Sequence, residues 1–145
     1  MARGDVTVFE EAKAKMLDGD WASTDHFYCA IIDTTTDPTA ADGTPVIGEY
    51  TQVGSGGTYV ADGTDLGALS DLVTEAAGVM TFDSATNPTW AQDAGNDVDA
   101  YWGIIYNYTD AGKDCVAFVD LGGPVDMTAG DLTITWNVAG IFTIT

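Results

Sequence analysis

His26 is the one histidine of this chain, and Cys29 and Cys115 are its only cysteines. Nucleophilic catalysis of the Ser-His-Asp or Cys-His kind needs a base within hydrogen-bond reach of the nucleophile, so it would have to use His26. Cys29 lies three residues further on, and an alternating strand sends those two side chains to opposite faces. Spacing does not exclude Cys115. A single histidine at the start of an apolar run is more often structural than catalytic, so no catalytic residue is assigned and the chain is read as a non-enzyme. Zinc is poorly served too, because one His and two distant Cys give no ligand cluster. Two cysteines in apolar runs do not make a disulfide framework. Buried free thiols are the default reading, and a bridge across the layers is the alternative.

The densest run of oxygen ligands is Asp93-Ala94-Gly95-Asn96-Asp97-Val98-Asp99. It could hold calcium, but it lacks the EF-hand spacing and its closing Glu, and a solvated acidic loop is the weightier reading. No metal and no cofactor is therefore assigned. Paired carboxylates are so common in this chain that they carry no information about glycosidase chemistry. Gly54-Ser55-Gly56-Gly57 shares only glycine content with a phosphate-cradling loop; it lacks the Lys-Ser/Thr step and reads as a turn or bulge. Arg3-Gly4-Asp5 matches the integrin tripeptide, but three residues match by chance and these sit ahead of a helix start. Asn107-Tyr108-Thr109 fits the glycosylation pattern, which means nothing without a signal peptide. Trp21, Trp90, Trp102 and Trp136 could line a carbohydrate platform, although in a domain of this size most of them should fill the core.

Charge excludes whole classes of partner. There are 23 Asp and Glu against 4 Lys and Arg, a formal net charge of −19. Such a field repels phosphate backbones and anionic membrane surfaces, so neither nucleic acid nor membrane is an expected partner. Its plainest role is to keep the protein soluble. Arg3, Lys13 and Lys15 leave only Lys113 beyond residue 15, so the positive end is the N-terminus. Met1 is followed by Ala-Arg-Gly-Asp with no apolar core region, which predicts synthesis and assembly in a cytoplasm. No run approaches the roughly 20 apolar residues of a transmembrane helix.

The elements that would position these residues are mostly strands. The 145 residues, 46% of them hydrophobic, suffice for one domain with one core. A short helix is predicted over residues 8–17: Thr7 and Glu10 fit a capping box, Glu10 and Glu11 lie in the first turn, Lys13 and Lys15 lie near the end, and Gly19 suits the left-handed C′ position. Residues 26–33 form a continuous apolar run, the pattern of a central strand buried on both faces. Residues 34–45 read as a long exposed loop and residues 87–99 as a second. Residues 49–53 predict a short strand, Asp62-Gly63 a hairpin, residues 66–74 a longer strand with helical ambiguity, and residues 79–83 another strand. Residues 101–108 should pair antiparallel with residues 116–121 through the turn at residues 110–113. Gly122-Gly123-Pro124 should break the chain, and residues 132–136 should pair with residues 141–144. Roughly eight or nine short strands predict an all-β fold, an antiparallel, jelly-roll-like β-sandwich over residues 21–145, with a helical arm over residues 1–20.

The order of several segments resembles a family of small virion structural proteins of tailed phages. The matching pieces begin with Ala14-Lys15-Met16-Leu17-Asp18-Gly19-Asp20 and continue with Glu49 through Gly54-Ser55-Gly56-Gly57-Thr58-Tyr59. Trp90-Ala91, Ile104-Ile105-Tyr106 and Val119-Asp120-Leu121-Gly122 follow, and the last pieces are Gly130 through Asn137 and Gly140-Ile141. The closing segment is the most specific. The resemblance spans nearly the whole chain and carries over no catalytic residue. It implies a capsid decoration, or cement, protein on the outer surface of the virion. Its partners would be the major capsid protein and further copies of itself, a trimer at shell threefolds being the natural guess. The arm with Arg3, Lys13 and Lys15 would dock, helped by loops 34–45 and 87–99. The alternative is a receptor- or glycan-binding head-fibre or tail module, which predicts several tryptophans exposed on one face or in one loop and calcium within the run from Asp93 to Asp99.

Overall fold

Three long apolar runs become three adjacent strands. The computed structural model describes residues 1–145. Strand β2 (His26–Ile32), β7 (Ala100–Asn107) and β8 (Cys115–Val125) form the centre of a five-stranded sheet. Edge strands β1 (Val6–Val8) and β3 (Thr64–Ala68) complete it, in the order β1-β8-β7-β2-β3, and every pairing is antiparallel. Because neighbouring residues of a strand face opposite ways, a run buried throughout must be covered on both sides. Phe27, Cys29 and Ile31 are fully buried, and so are Ala30 and Ile32 on the opposite face.

The covers differ. A three-stranded antiparallel sheet of β4 (Val73–Ala76), β5 (Val79–Phe82) and β10 (Phe142–Ile144), in the order β10-β5-β4, supplies Phe82 against Phe27, with ring centroids 5.8 Å apart and nearly edge-on. Trp21 meets Phe27 at 5.4 Å. A ribbon of β6 (Thr89–Trp90) and β9 (Leu132–Thr133) continues into residue 134, whose side chain reaches the sheet at Gly103. On the other face Phe9 meets Phe118 at 5.1 Å and Tyr50 at 6.5 Å. The molecule is thus mostly β, built from antiparallel sheets, and its longest helix has fewer than three turns.

That helix, α1 (Glu10–Asp18), starts later than the capping pattern predicts. Phe9 is its N-cap and makes no side-chain capping bond, while Thr7 lies inside β1. Pairing to β8 and burial of Phe9 outweigh the hydroxyl cap. The C-terminal signal holds: Gly19 is left-handed at φ 74°, and its N–H bonds to the Lys15 carbonyl. The division at residue 20 does not coincide with a break in packing, because β1 belongs to the main sheet and Phe9 and Ala12 are core residues.

Several other expectations are corrected. Residues 47–49 form a turn of 3-10 helix, and only a single bridge, Ile32 to Gln52, stands where a strand was predicted over residues 49–53. Residues 66–74 split among β3, a four-residue helix α2 (Leu69–Leu72) and β4, which resolves the helical ambiguity as a change of sheet. Asp62-Gly63 makes a turn into β3 with no strand before it, whereas the tight hairpin is Ala77-Gly78, at φ 53° and 80°, between β4 and β5. Gly122-Gly123-Pro124 stays within β8, which is bent there and still pairs Val125 with Ala100. The predicted pairing of residues 132–136 with 141–144 does not form: β9 joins β6, and β10 joins β5. The β7–β8 hairpin and the exposed loop over residues 34–45 are as expected.

Candidate functional site

The residues singled out for chemistry are held by other residues of the same chain. His26 sits half-exposed at the start of β2, and its Nδ1 lies 2.9 Å from an Asp65 carboxylate oxygen of β3. Cys29 lies on the other face of β2 and is fully buried, which pushes its thiol up to about 12. Cys115 is buried as well, and burial followed by the nearby Asp114 carboxylate raises its pKa. Register puts Cys29 opposite Ile105 and Cys115 opposite Tyr106, neighbouring positions of β7 that face opposite ways, and both cysteines are free. His26, Cys29 and Cys115 therefore do not converge.

The acidic run 93–99 is spent on the chain itself. Asp97 accepts bonds from the Gly54 amide at 3.0 Å and the Val98 amide at 2.8 Å. These backbone donors, Gly54 foremost, hold its carboxyl below the usual carboxylate range. Asp93 accepts the Gly95 amide at 2.8 Å. Asn96 is the hub, only 8% exposed. Its oxygen takes the amides of Thr58 at 2.8 Å and Tyr59 at 3.1 Å, and its NH2 donates to the carbonyls of Ala91 at 2.9 Å and Met127 at 3.2 Å. No group of three or more metal-ligating side chains converges.

The glycine run 54–57 is explained by the same junction. A Cβ on Gly57 would stand 2.5 Å from the Asn96 side-chain oxygen, and one on Gly56 would stand 2.8 Å from the Gly95 carbonyl. The glycines allow two loops to touch, and the loop they form cradles Asn96 rather than a phosphate. In the sequence Asn96 is one member of an oxygen-rich run, and the only trace of its structural role is the coexistence of two glycine-bearing loops.

Other candidates are similarly committed. Asn107 of the glycosylation pattern is fully buried and donates to Asp25 at 2.8 Å. The Gly4 amide of the Arg3-Gly4-Asp5 step bonds to the Asp120 carbonyl at 2.7 Å. Lys15 bonds to Asp114 at 2.7 Å, and that hydrogen bond raises its pKa. Trp21, Trp90 and Trp136 are buried, and half-buried Trp102 donates to Asp37 at 3.1 Å. The aromatic pair nearest the surface is instead half-buried Tyr28 and exposed Tyr108, stacked at 4.2 Å, with the Lys113 ammonium 4.4 Å from the Tyr108 ring centre.

Several hollows mark the surface, and one of them lies between two strand edges. A groove of about 390 Å³ runs between residues 3–6, which lead into β1, and residues 132–137, with Val119, Asp120 and Leu121 of β8 also lining it. Its two walls are ends of sheets. In β1 the hydrogen-bonded partners of β8 are the odd residues: the Asp120 amide bonds to the Asp5 carbonyl and the Phe9 amide to the Val116 carbonyl. Val6 and Val8 consequently turn their backbone groups outward. In residues 132–137 the even positions are paired, with the Ile134 amide on the Pro88 carbonyl and the Trp136 amide on the Asn87 side chain. Thr133 and Thr135 keep their backbone groups free.

No helix is long and apolar enough to cross a membrane. Comparison of the chain with family models, with curated proteins and with solved structures finds no match.

Proposed function

We propose that the protein is a phage capsid decoration protein that docks on the outer surface of a shell of major capsid protein and staples neighbouring subunits. The observation that carries this reading is the position of residues 130–137. This segment is the most specific part of the family resemblance, and residues 132–137 are a groove wall with unpaired backbone groups. Its surroundings support adhesion. His26 and Asp97 are tied into internal bonds, both cysteines are buried, and a body of antiparallel sheets loses little ordering entropy when it docks. Many copies on one shell act together, so modest affinity at each site suffices.

The finer fold reading is a two-layer β-sandwich, the five-stranded sheet against the three-stranded one, supported by Phe27 against Phe82. The main sheet joins sequence neighbours directly, β2 with β3 and β7 with β8, and so departs from the paired Greek keys of a jelly roll. Synthesis in the host cytoplasm and residence on the virion surface belong to the same reading, and trimers at shell threefolds are a guess added to it. Lys15 is bonded to Asp114, so the docking role considered for the arm falls to Arg3 and the exposed Lys13.

Shells assembled from the same genome without this chain, mixed with the purified protein, test the proposal. Saturable binding of on the order of hundreds of copies, with a higher temperature of shell rupture, is the expected result. Shells that bind none refute it. A receptor- or glycan-binding module is the second reading, favoured only by the stacked Tyr28–Tyr108 pair at the surface. Glycan binding that Tyr108→Ala abolishes would establish that reading instead.

A further inference from the structure

We infer that the groove between β1 and residues 132–137 receives an extended, basic segment of the shell protein as an added β-strand. The inference rests on the decoration reading and names where and how docking occurs.

An unpaired strand edge offers a row of N–H and C=O groups to any extended chain, and proteins usually blunt such edges with charge, proline or a bulge. Residues 132–138, Leu-Thr-Ile-Thr-Trp-Asn-Val, contain no charge and no proline. Their inward residues are anchored: Leu132, Ile134 and Trp136 are buried, and Trp136 also donates through its ring N–H to the Thr86 carbonyl at 2.8 Å. The edge at Thr133 and Thr135 is therefore both open and fixed in place. Across the groove Val6 presents a second open edge, and Val119 and Leu121 give the groove an apolar share. Backbone pairing would supply affinity here, and alternate side chains of the guest would supply specificity.

Charge selects the guest. Asp5 and Asp120 line the groove and Asp131 adjoins it, within a chain of net charge −19. Arg3 is the single cation there, and its side chain lies along Gly122, where an added Cβ would meet it at 3.0 Å. A second copy of this chain has few cations to offer the groove, 4 against 23 carboxylates, whereas a segment rich in Lys or Arg is attracted. The groove lies between two walls, residues 3–6 and residues 132–137.

Thr135→Pro tests this, because it deletes an N–H that the fold does not use. Wild type and Thr135→Pro are titrated onto shells lacking the protein, with the melting temperature of each recorded. The expected result is a loss of at least about tenfold in shell affinity at an unchanged melting temperature. Equal binding by both overturns the groove and leaves the decoration reading intact; no binding by either overturns that reading itself. Amide exchange on the wild type settles the matter even where the variant folds poorly. The amides of Val6, Thr133 and Thr135 should exchange fast in the free protein and slowly on shells, and fast exchange in both refutes the inference. An oligomer in solution that Thr135→Pro dissociates would make a second copy the guest and refute the basic segment.

Discussion

Two surface segments of similar size, residues 93–99 and residues 131–137, exchange the roles their compositions suggest. The first is crowded with carboxylates and looks like a ligand site, yet Asp93, Asn96 and Asp97 direct their oxygens at amides of their own and a neighbouring loop. The second alternates apolar and polar residues like an ordinary interior strand, yet it pairs on one side only. Binding capacity follows from groups left without partners, and a count of ligand atoms does not reveal which those are. In the first segment the polar groups stabilise the fold; in the second the backbone is free to bind something else.

The largest expected effect comes from cutting the hub of the closed segment. Asn96→Ala removes bonds to Thr58, Tyr59, Ala91 and Met127 at once and leaves the buried Tyr59 amide and Met127 carbonyl unpaired. A loss of about 3 kcal/mol is expected in a denaturant melt. A loss under about 0.5 kcal/mol would mean that water replaces Asn96 and that the segment is not closed in the sense argued.

Gly103→Ala acts on the open segment. Its added methyl would stand 2.7 Å from a Val119 methyl and 2.9 Å from the Ile134 side-chain tip. Overpacking of this kind costs about 1–3 kcal/mol, less than emptying a hydrogen-bond hub. It should also lift Ile134 from the sheet, so shell binding should weaken more than stability alone accounts for. A variant equally unstable but unimpaired in binding would separate the groove from docking.

Legibility in the sequence divides along the same line. The apolar runs of β2, β7 and β8 announce a buried centre, because a strand covered on both faces has no reason to alternate. The turn at Gly19 is equally plain, since its left-handed backbone suits the one residue without a Cβ. Partner choice is not legible. Whether residues 132–136 meet residues 141–144 or residues 89–90 depends on which edge is near after collapse, and both options have suitable residues. Phe9 shows a related limit: a local cap at Thr7 was available, but pairing with β8 and burial against Phe118 outbid it. The Asn96 junction was hidden because its partners lie about 37 residues apart in sequence, and the groove because open edges are defined only once the sheets exist.

Acid sharpens the comparison further. Backbone amides, Gly54 foremost, lower the Asp97 pKa in the folded protein, so the folded state binds a proton there less readily than the unfolded state does. The stability this adds is complete above the unfolded carboxyl value of about 3.9 and is lost as pH falls through the lower folded value. Asp97→Asn should therefore be less stable than wild type at neutral pH, and the gap should narrow below about pH 4. A gap constant with pH would show that Asp97 acts through its shape and not its charge.

Calcium gives the smallest expected effect. A site of about 0.1 mM affinity, saturated a hundredfold, would add about 2.7 kcal/mol and raise the melting temperature of a chain this size by roughly 5–10 °C. Asp97 has committed both carboxylate oxygens to amides, and Asp93 one of its two. Coordination would have to break those bonds first, returning most of what the ion contributes. Millimolar calcium is accordingly expected to move the melting temperature by less than about 1 °C. A larger shift, abolished by Asp97→Asn, would show that the closed segment opens to a cation, and the contrast with residues 131–137 would then be one of degree.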